Sequence, residues 1–199
     1  MSTEIHNLFP SRVVFHDCEM FEDYQSKIID YCYEQYHNHD DDRYTLMGSN
    51  ASFQHVPNHS DFPFWEYINL NLQSAMQHYG FDTNQITITA KMIVLNIGSP
   101  QSYHIAHTHG ECTLSGVLWI RIPENSGKFI FHNDQTYEQC DLINHLSADT
   151  KSSNLIAPSY HYRPKEGQMV IFPPNLRHSV GSNESTEDRI SIAFNIKVS

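Results

Sequence analysis

Apolar residues recur at two different spacings along the chain, and the change falls near residue 85. In FEDYQSKIIDYCYEQY, Phe21, Tyr24, Ile28 and Tyr31/Cys32 lie three or four positions apart, which predicts one buried helical face. A second helix is expected from DFPFWEY onward. Asp61 is its candidate N-cap, Pro63 stands in the first turn, Trp65, Ile68, Leu72, Ala75/Met76 and Tyr79 form the buried face, and Gly80 is the stop. A short strand is expected before both helices in LFPSRVVFHD, residues 8 to 17. From residue 85 the period becomes two. QITITAKMIVLNI (85–97), LSGVLWIRI (114–122), GKFIFH (127–132), GQMVIF (167–172) and RISIAFNIKV (189–198) read as strands, divided by the turn-forming PENSG, PPN and SNEST.

Short strands joined by non-helical connections predict a sandwich or barrel of jelly-roll type, mainly β with N-terminal helices laid over a sheet. The expected organisation is a single domain, with residues 1–84 as a helical cover and 85–199 as the jelly-roll core. The polar stretch 37–61 is expected to be a surface connection. Its Asp40, Asp41 and Asp42, beside His37 and His39, read as a solvated charge run. The segment 133–166 is expected to be an insertion at the barrel mouth.

Composition narrows the partners. A net charge of −11 disfavours binding to a nucleic-acid backbone or an anionic membrane surface. No run of about 18 apolar residues exists to span a bilayer, and MSTEIHNLFPSRVVF has no basic segment followed by an apolar one, so a cytoplasmic protein is expected. Cys18, Cys32, Cys112 and Cys140 are scattered without a CxxC pair and read as reduced thiols; Cys112 reads as packing rather than as a metal ligand.

The chemistry concentrates in HIAHTHGECTLSGVLWI, residues 104 to 120. In an extended segment the alternate residues His107 and His109 project to one face, where two imidazoles can share a metal. QMVIFPPNLRHSV supplies a distant third imidazole, His178, which an antiparallel neighbour would set opposite that pair. Neutral imidazole suits Fe, Zn, Cu or Ni, so residue type alone leaves the metal open. In RISIAFNIKV the even positions are apolar, while the odd ones, Arg189, Ser191, Ala193, Asn195 and Lys197, are mostly small or polar. If that second face lines the cavity, Arg189 and Ser191 can hold the far carboxylate of a dicarboxylate ligand.

HTHGECTLSGVLWIRIPENSGKFIFHN and RPKEGQMVIFPPNLRHSVGSNESTEDRISIAFN together resemble the 2-oxoglutarate and Fe(II)-dependent oxygenases of bacteria and their phages, over roughly residues 95 to 199. That family has an HxH ahead of an LSGV-type strand, a G-x-x-V-I-F-P segment ending in a histidine, and an RxS after it. The resemblance implies a double-stranded β-helix, the cupin-like jelly-roll barrel. It implies a non-haem Fe(II) and 2-oxoglutarate-dependent dioxygenase that hydroxylates an unidentified substrate using O2 and releases succinate and CO2. Its implied metal ligands are His107, His109 and His178, and Arg189 helped by Ser191 is its implied 2-oxoglutarate anchor. It also points to a bacterial or phage protein working in the host cytoplasm.

The common facial triad has two histidines and one carboxylate. A pairing of His109 and Glu111 with His178 would restore a carboxylate and stands as the alternative ligand set. Trp119 and Phe131 are candidate cavity walls, and Asn96 and Asn195 are candidates for orienting ligands. His104, three residues ahead of His107, is expected beside the centre or exposed rather than as a ligand. A cupin-like metal protein without 2-oxoglutarate chemistry would need the histidines but not Arg189, and a non-catalytic jelly-roll binding module would need neither. The substrate and the oligomeric state stay open.

Overall fold

The structure is a computed structural model that describes residues 11–38, 52–58, 61–134 and 157–199, together with 145 and 147–149. In chain order its elements are β1 (Val14–Asp17), α1 (Phe21–Asn38), β2 (Ser52–His55), α2 (Trp65–Tyr79), β3 (Ile88–Gly98), β4 (His104–His107), β5 (Leu114–Arg121), β6 (Phe129–His132), β7 (Ser159–Tyr162), β8 (Gln168–Phe172), β9 (His178–Val180) and β10 (Arg189–Val198). A six-stranded sheet in the order β1-β8-β5-β10-β3-β2 faces a four-stranded sheet in the order β4-β9-β6-β7, and every pairing is antiparallel. This is the jelly-roll architecture that the alternating pattern predicts.

The larger sheet is sandwiched, and its strands show why their sequences look as they do. Toward the helices, Leu118, Ile120, Ile93, Leu95, Ile192 and Ile196 join Ile28 of α1 and Ile68, Leu72 and Met76 of α2 in one core. Burying each of the large aliphatic side chains contributes about 1.5–3 kcal/mol. Toward the smaller sheet, Val117, Trp119, Val170 and Phe172 pack with Phe129 and Phe131 of β6. β5 lies inside the larger sheet with both faces covered, so LSGVLWI is buried throughout and reads as a continuous apolar run rather than an alternation. β10 keeps its alternation because only its even positions meet the helical core.

Several sequence expectations are corrected. The second helix begins at Trp65, not at Asp61; its cap position is Phe64, which makes no side-chain cap bond. Pro63 disfavours helical backbone at Phe62, and the Asp61 carboxylate accepts from the Asn58 side-chain amide. The expected stop holds: Gly80 sits at φ 109 and donates its N–H to the Met76 and Gln77 carbonyls. The 37–61 connection contains β2, which pairs with β3 at the sheet edge, and the 133–166 insertion contains β7. Residues 8–10 of the expected first strand, the Asp40–Asp42 run, Cys140 and most of the insertion lie outside the described residues.

Gly116 marks the tightest approach within the larger sheet. A Cβ there would lie 2.4 Å from the Phe194 ring and 2.7 Å from the Val170 carbonyl oxygen. Gly116→Ala is therefore expected to lower stability by about 1–3 kcal/mol through overpacking. Denaturant unfolding checks this, and an unchanged midpoint would show that the sheet can relax around an added methyl.

Candidate metal and cosubstrate site

β4 and β9 pair so that His107 is directly opposite His178 and His104 opposite Val180, with a register irregularity between the two histidines of β4. The chain leaves β4 after His107. His109 is nevertheless held at the site because its backbone N–H donates to the Pro174 carbonyl at 2.7 Å, in the turn that precedes β9. Ligand nitrogens of His107, His109 and His178 all lie within 4.8 Å of one another. The structure thus gathers the three imidazoles named from the sequence.

Backbone carbonyls orient two of the rings. His107 Nδ1 lies 2.8 Å from the Ile105 oxygen, and His178 Nδ1 lies 2.9 Å from the Leu176 oxygen. Carbonyl oxygens only accept, so each Nδ1 carries the proton and each Nε2 offers a lone pair. His109 Nε2 and His178 Nε2 are 3.2 Å apart. Two nitrogens each about 2.1 Å from a shared ion and about 90° apart would be separated by about 3.0 Å. The donor set therefore fits a divalent borderline metal. Glu111 is exposed, on a positive-φ bend at 57°, and stands outside the cluster, as does Cys112, whose Sγ faces Ser115 Oγ at 3.7 Å.

A cavity of about 270 Å³ opens beside the histidines, between the two sheets. Its floor is the inner face of the larger sheet, where the polar positions of β10 point. Arg189, Ser191 and Asn195 all line it, so the second face of RISIAFNIKV faces a cavity and not bulk water. Trp119 lines it too, whereas Phe131 packs behind it against Phe172, with ring centroids 5.3 Å apart. Asn96 and Asn195 bond to Gln54 and Ser115 respectively, within the floor. The histidine-orienting task expected of them is carried for His107 and His178 by the two carbonyls.

Arg189 is 5% exposed and opens β10 opposite Gly98. Its Nη1 donates to the Ser126 carbonyl and, at 3.1 Å, to the Gly181 carbonyl. Nε and Nη2 keep no hydrogen-bond partner among the described residues. A Cβ on Gly98 would stand 3.2 Å from Nη2 and 3.5 Å from Nε, so glycine keeps this edge of the guanidinium open. An Nε/Nη2 edge is the fork that takes a carboxylate in two parallel bonds. Arg189 can accordingly take a carboxylate on this edge.

His104 lines the cavity beside the cluster, as the sequence reading allowed, and one contributor escaped that reading: Gln54, which lines the floor from β2. Gln54 stood in a polar stretch that carried no strand signal.

Burial determines the charge state of these groups. It lowers His178 to about 3, with the neighbouring histidines adding to the effect against the Leu176 hydrogen bond. It lowers His109 to about 4, helped by His107, and His104 to about 4, helped by Arg189 and His107. Arg189 falls only to about 10 and stays cationic at neutral pH. An unfolded histidine takes up a proton as pH falls through about 6.5, and these folded ones do so near 4 or below, so the unfolded chain gains protons first. Stability of the metal-free protein is thus full above pH 6.5 and declines as pH falls toward 4. Urea unfolding of metal-stripped protein at pH 7 and pH 5 should show this loss, and His178→Asn should reduce it. Equal stability at both pH values would contradict the burial of neutral imidazoles.

The sequence over residues 93–195 matches the family described as "Putative 2OG-Fe(II) oxygenase". No curated protein sequence matches the chain. Among solved structures, a Pseudomonas putida prolyl-4-hydroxylase is similar at 9% identity with a TM-score of 0.59, covering 93% of this chain and 91% of that one. The viral collagen prolyl hydroxylase of Paramecium Bursaria Chlorella virus-1, solved with 2OG, is similar at 12% identity and TM-score 0.59, covering 92% of this chain and 94% of that one. The α-ketoglutarate-dependent epimerase SnoN of nogalamycin biosynthesis reaches TM-score 0.67 at 10% identity, covering 94% of this chain and 76% of that one. These likenesses establish a shared fold, and the family match extends over more than half of the chain. The chain belongs to the 2OG-Fe(II) oxygenase family and is an oxygenase that uses iron, 2-oxoglutarate and O2.

Proposed function

We propose that His107, His109 and His178 hold the Fe(II) ion, that Arg189 with Ser191 holds the distal carboxylate of 2-oxoglutarate, and that the reaction hydroxylates a substrate bound in the remaining cavity. The observation that carries this reading is the convergence of three imidazoles on a cavity that is also lined by a buried guanidinium with an open edge. Iron with 2-oxoglutarate and O2 supplies an oxidant able to hydroxylate a C–H bond, with release of succinate and CO2.

The chain's own residues bind and orient. The Ile105 and Leu176 carbonyls each accept from Nδ1–H of His107 and His178, which fixes both rings and leaves Nε2 as the nitrogen free to bind a metal. Arg189, fixed through Nη1, turns Nε and Nη2 toward the ligand's far end, and Ser191 adds a hydroxyl donor from the same face of β10. Val117, Trp119, Phe129 and Phe172 give the cavity apolar walls that exclude water from the reacting centre.

We further read the enzyme as cytoplasmic. In support, Cys18, Cys32 and Cys112 are free thiols, and no helix among the described residues is long and apolar enough to cross a membrane. The acidic net charge argues against binding along a nucleic-acid backbone.

Anaerobic titration of metal-stripped protein with Fe(II) and then 2-oxoglutarate tests the assignment. A metal-to-ligand charge-transfer band is expected in the wild type and is lost in His178→Ala. In Arg189→Ala, half-saturation should need about a hundredfold more 2-oxoglutarate, the scale set by stranding one partner of a buried charge pair. Iron binding without the band, or a band indifferent to Arg189, would overturn the reading.

A further inference from the structure

Backbone carbonyls aim Arg189. Its Nη1 donates to the Ser126 carbonyl, in the turn between β5 and β6, and at 3.1 Å to the Gly181 carbonyl, in the loop between β9 and β10. Opposite it stands Gly98, whose missing Cβ leaves the Nε/Nη2 edge open. The direction of that edge is therefore only as well defined as the placement of two loops and one strand end. A carboxylate taken in two parallel bonds tolerates little misalignment.

One side chain joins these pieces. Asn183 is completely buried, at 0% exposed. Its Oδ1 accepts from the Ser185 backbone N–H at 3.1 Å and from the Ser185 hydroxyl at 2.7 Å. Its Nδ2 donates to the Glu187 carbonyl at 2.8 Å, within the same loop, and to the Gly98 carbonyl at 2.9 Å, 85 residues away in the chain. The backbone of Asn183 is used as fully: its N–H donates to the Ser102 carbonyl at 2.8 Å, and its carbonyl accepts from the Gln101 N–H at 2.7 Å. Ser102 in turn crowds Gly98 where Arg189 does, since a Cβ on Gly98 would stand 2.8 Å from Ser102 Oγ and 3.2 Å from Arg189 Nη2.

The ordinary task of a loop asparagine is to bond its own backbone two residues on, and Oδ1 does that. Such a task needs no bond to Gly98. That bond, with those to Gln101 and Ser102, ties the β9–β10 loop to the strand end that faces the guanidinium. The same loop carries the Gly181 carbonyl just before Asn183 and runs into Arg189 itself. The β5–β6 turn follows it, because the Glu184 N–H donates to the Asn125 carbonyl at 2.9 Å and the Gly181 N–H to the Lys128 carbonyl at 2.8 Å. Every group that fixes the guanidinium is thus linked to Asn183.

We propose that Asn183 is a positioning residue for the cosubstrate. By bonding Gly98 to the β9–β10 loop it sets the direction of the Arg189 Nε/Nη2 edge, and with it the affinity for the distal carboxylate of 2-oxoglutarate. This rests on the reading of Arg189 as the anchor given above.

The test follows the anaerobic Fe(II)/2-oxoglutarate charge-transfer band of the full-length protein, with 2-oxovalerate as the comparison ligand. 2-Oxovalerate has the same 2-oxo acid end but finishes in a methyl group, so it gains nothing from a well-aimed Arg189. Asn183→Ala should raise half-saturation for 2-oxoglutarate about tenfold, the scale of a hydrogen bond lost at a buried site, and should move 2-oxovalerate less than about twofold. Asn183→Asp, which keeps the acceptor for Ser185 and loses both Nδ2 donations, should do the same. In an Arg189→Ala background neither substitution should weaken 2-oxoglutarate further. Equal weakening of both ligands, as a general loosening of the fold would give, or an unchanged response to 2-oxoglutarate, overturns the proposal. Should the variants fail to fold, hydrogen exchange of the wild type decides. 2-Oxoglutarate should slow exchange of the Gln101 and Asn183 amides more than 2-oxovalerate does, because the coupling is reciprocal, and equal protection by the two overturns the proposal. Failure of the underlying reading looks different: the wild type would show no band, or Arg189→Ala would cost no affinity.

Discussion

Antiparallel pairing of His104–His107 with His178–Val180 sets His178 opposite His107, and the same strand places His178 under the rings of Phe129 and Phe172. Those aromatic neighbours remove water from the imidazole and keep it neutral. Neutrality is what a metal requires of a histidine, because a protonated ring has no lone pair to give. The pairing also draws in the third ring, since the turn that leads into β9 carries the Pro174 carbonyl that holds His109. On the proposed assignment, one short strand pair brings His107 and His178 together, orients both rings and keeps His178 neutral.

β10 connects that centre to the rest of the fold. Its even residues pack into the core beneath the helices, which fixes the strand, and its odd residues Arg189, Ser191, Ala193 and Asn195 then line the cavity, while Lys197 near the strand's end is exposed. A one-residue slip would bury Arg189 and Asn195 in hydrocarbon and push Ile190 and Ile192 into the site. Pairing with β3 on one side and β5 on the other makes such a slip costly, and the guanidinium inherits this rigidity. Helices α1 and α2 thus act on the site from behind by holding the strand that carries its single lining cation among the described residues.

Much of this was legible before any coordinates. The shift from helical to alternating periodicity located both helices and five strands, and the odd face of RISIAFNIKV identified Arg189 and Ser191. The HxH spacing and the histidine after the PP turn gave the cluster. What escaped has physical reasons. β2, β4, β7 and β9 are three or four residues long and, unlike the equally short β1 and β6, sit in polar, histidine-containing stretches with no apolar run to mark a strand. Gln54 was invisible because a polar residue at an edge strand looks like a loop residue until the partner strand is known. Asp61 misled because the chain after it, with Pro63 behind Phe62, enters the helix only at Trp65. The position of His109 depends on the Pro174 carbonyl, a contact across more than sixty residues that no local pattern contains.

The central claim is that the iron is held by three imidazoles with no protein carboxylate. X-ray absorption at the iron edge of anaerobically loaded protein tests it most directly, because multiple scattering from imidazole rings counts the histidines bound. The account predicts three, falling to two in His109→Ala and unchanged in Glu111→Ala. Two histidines in the wild type, with a first shell that changes in Glu111→Ala and not in His109→Ala, would contradict it.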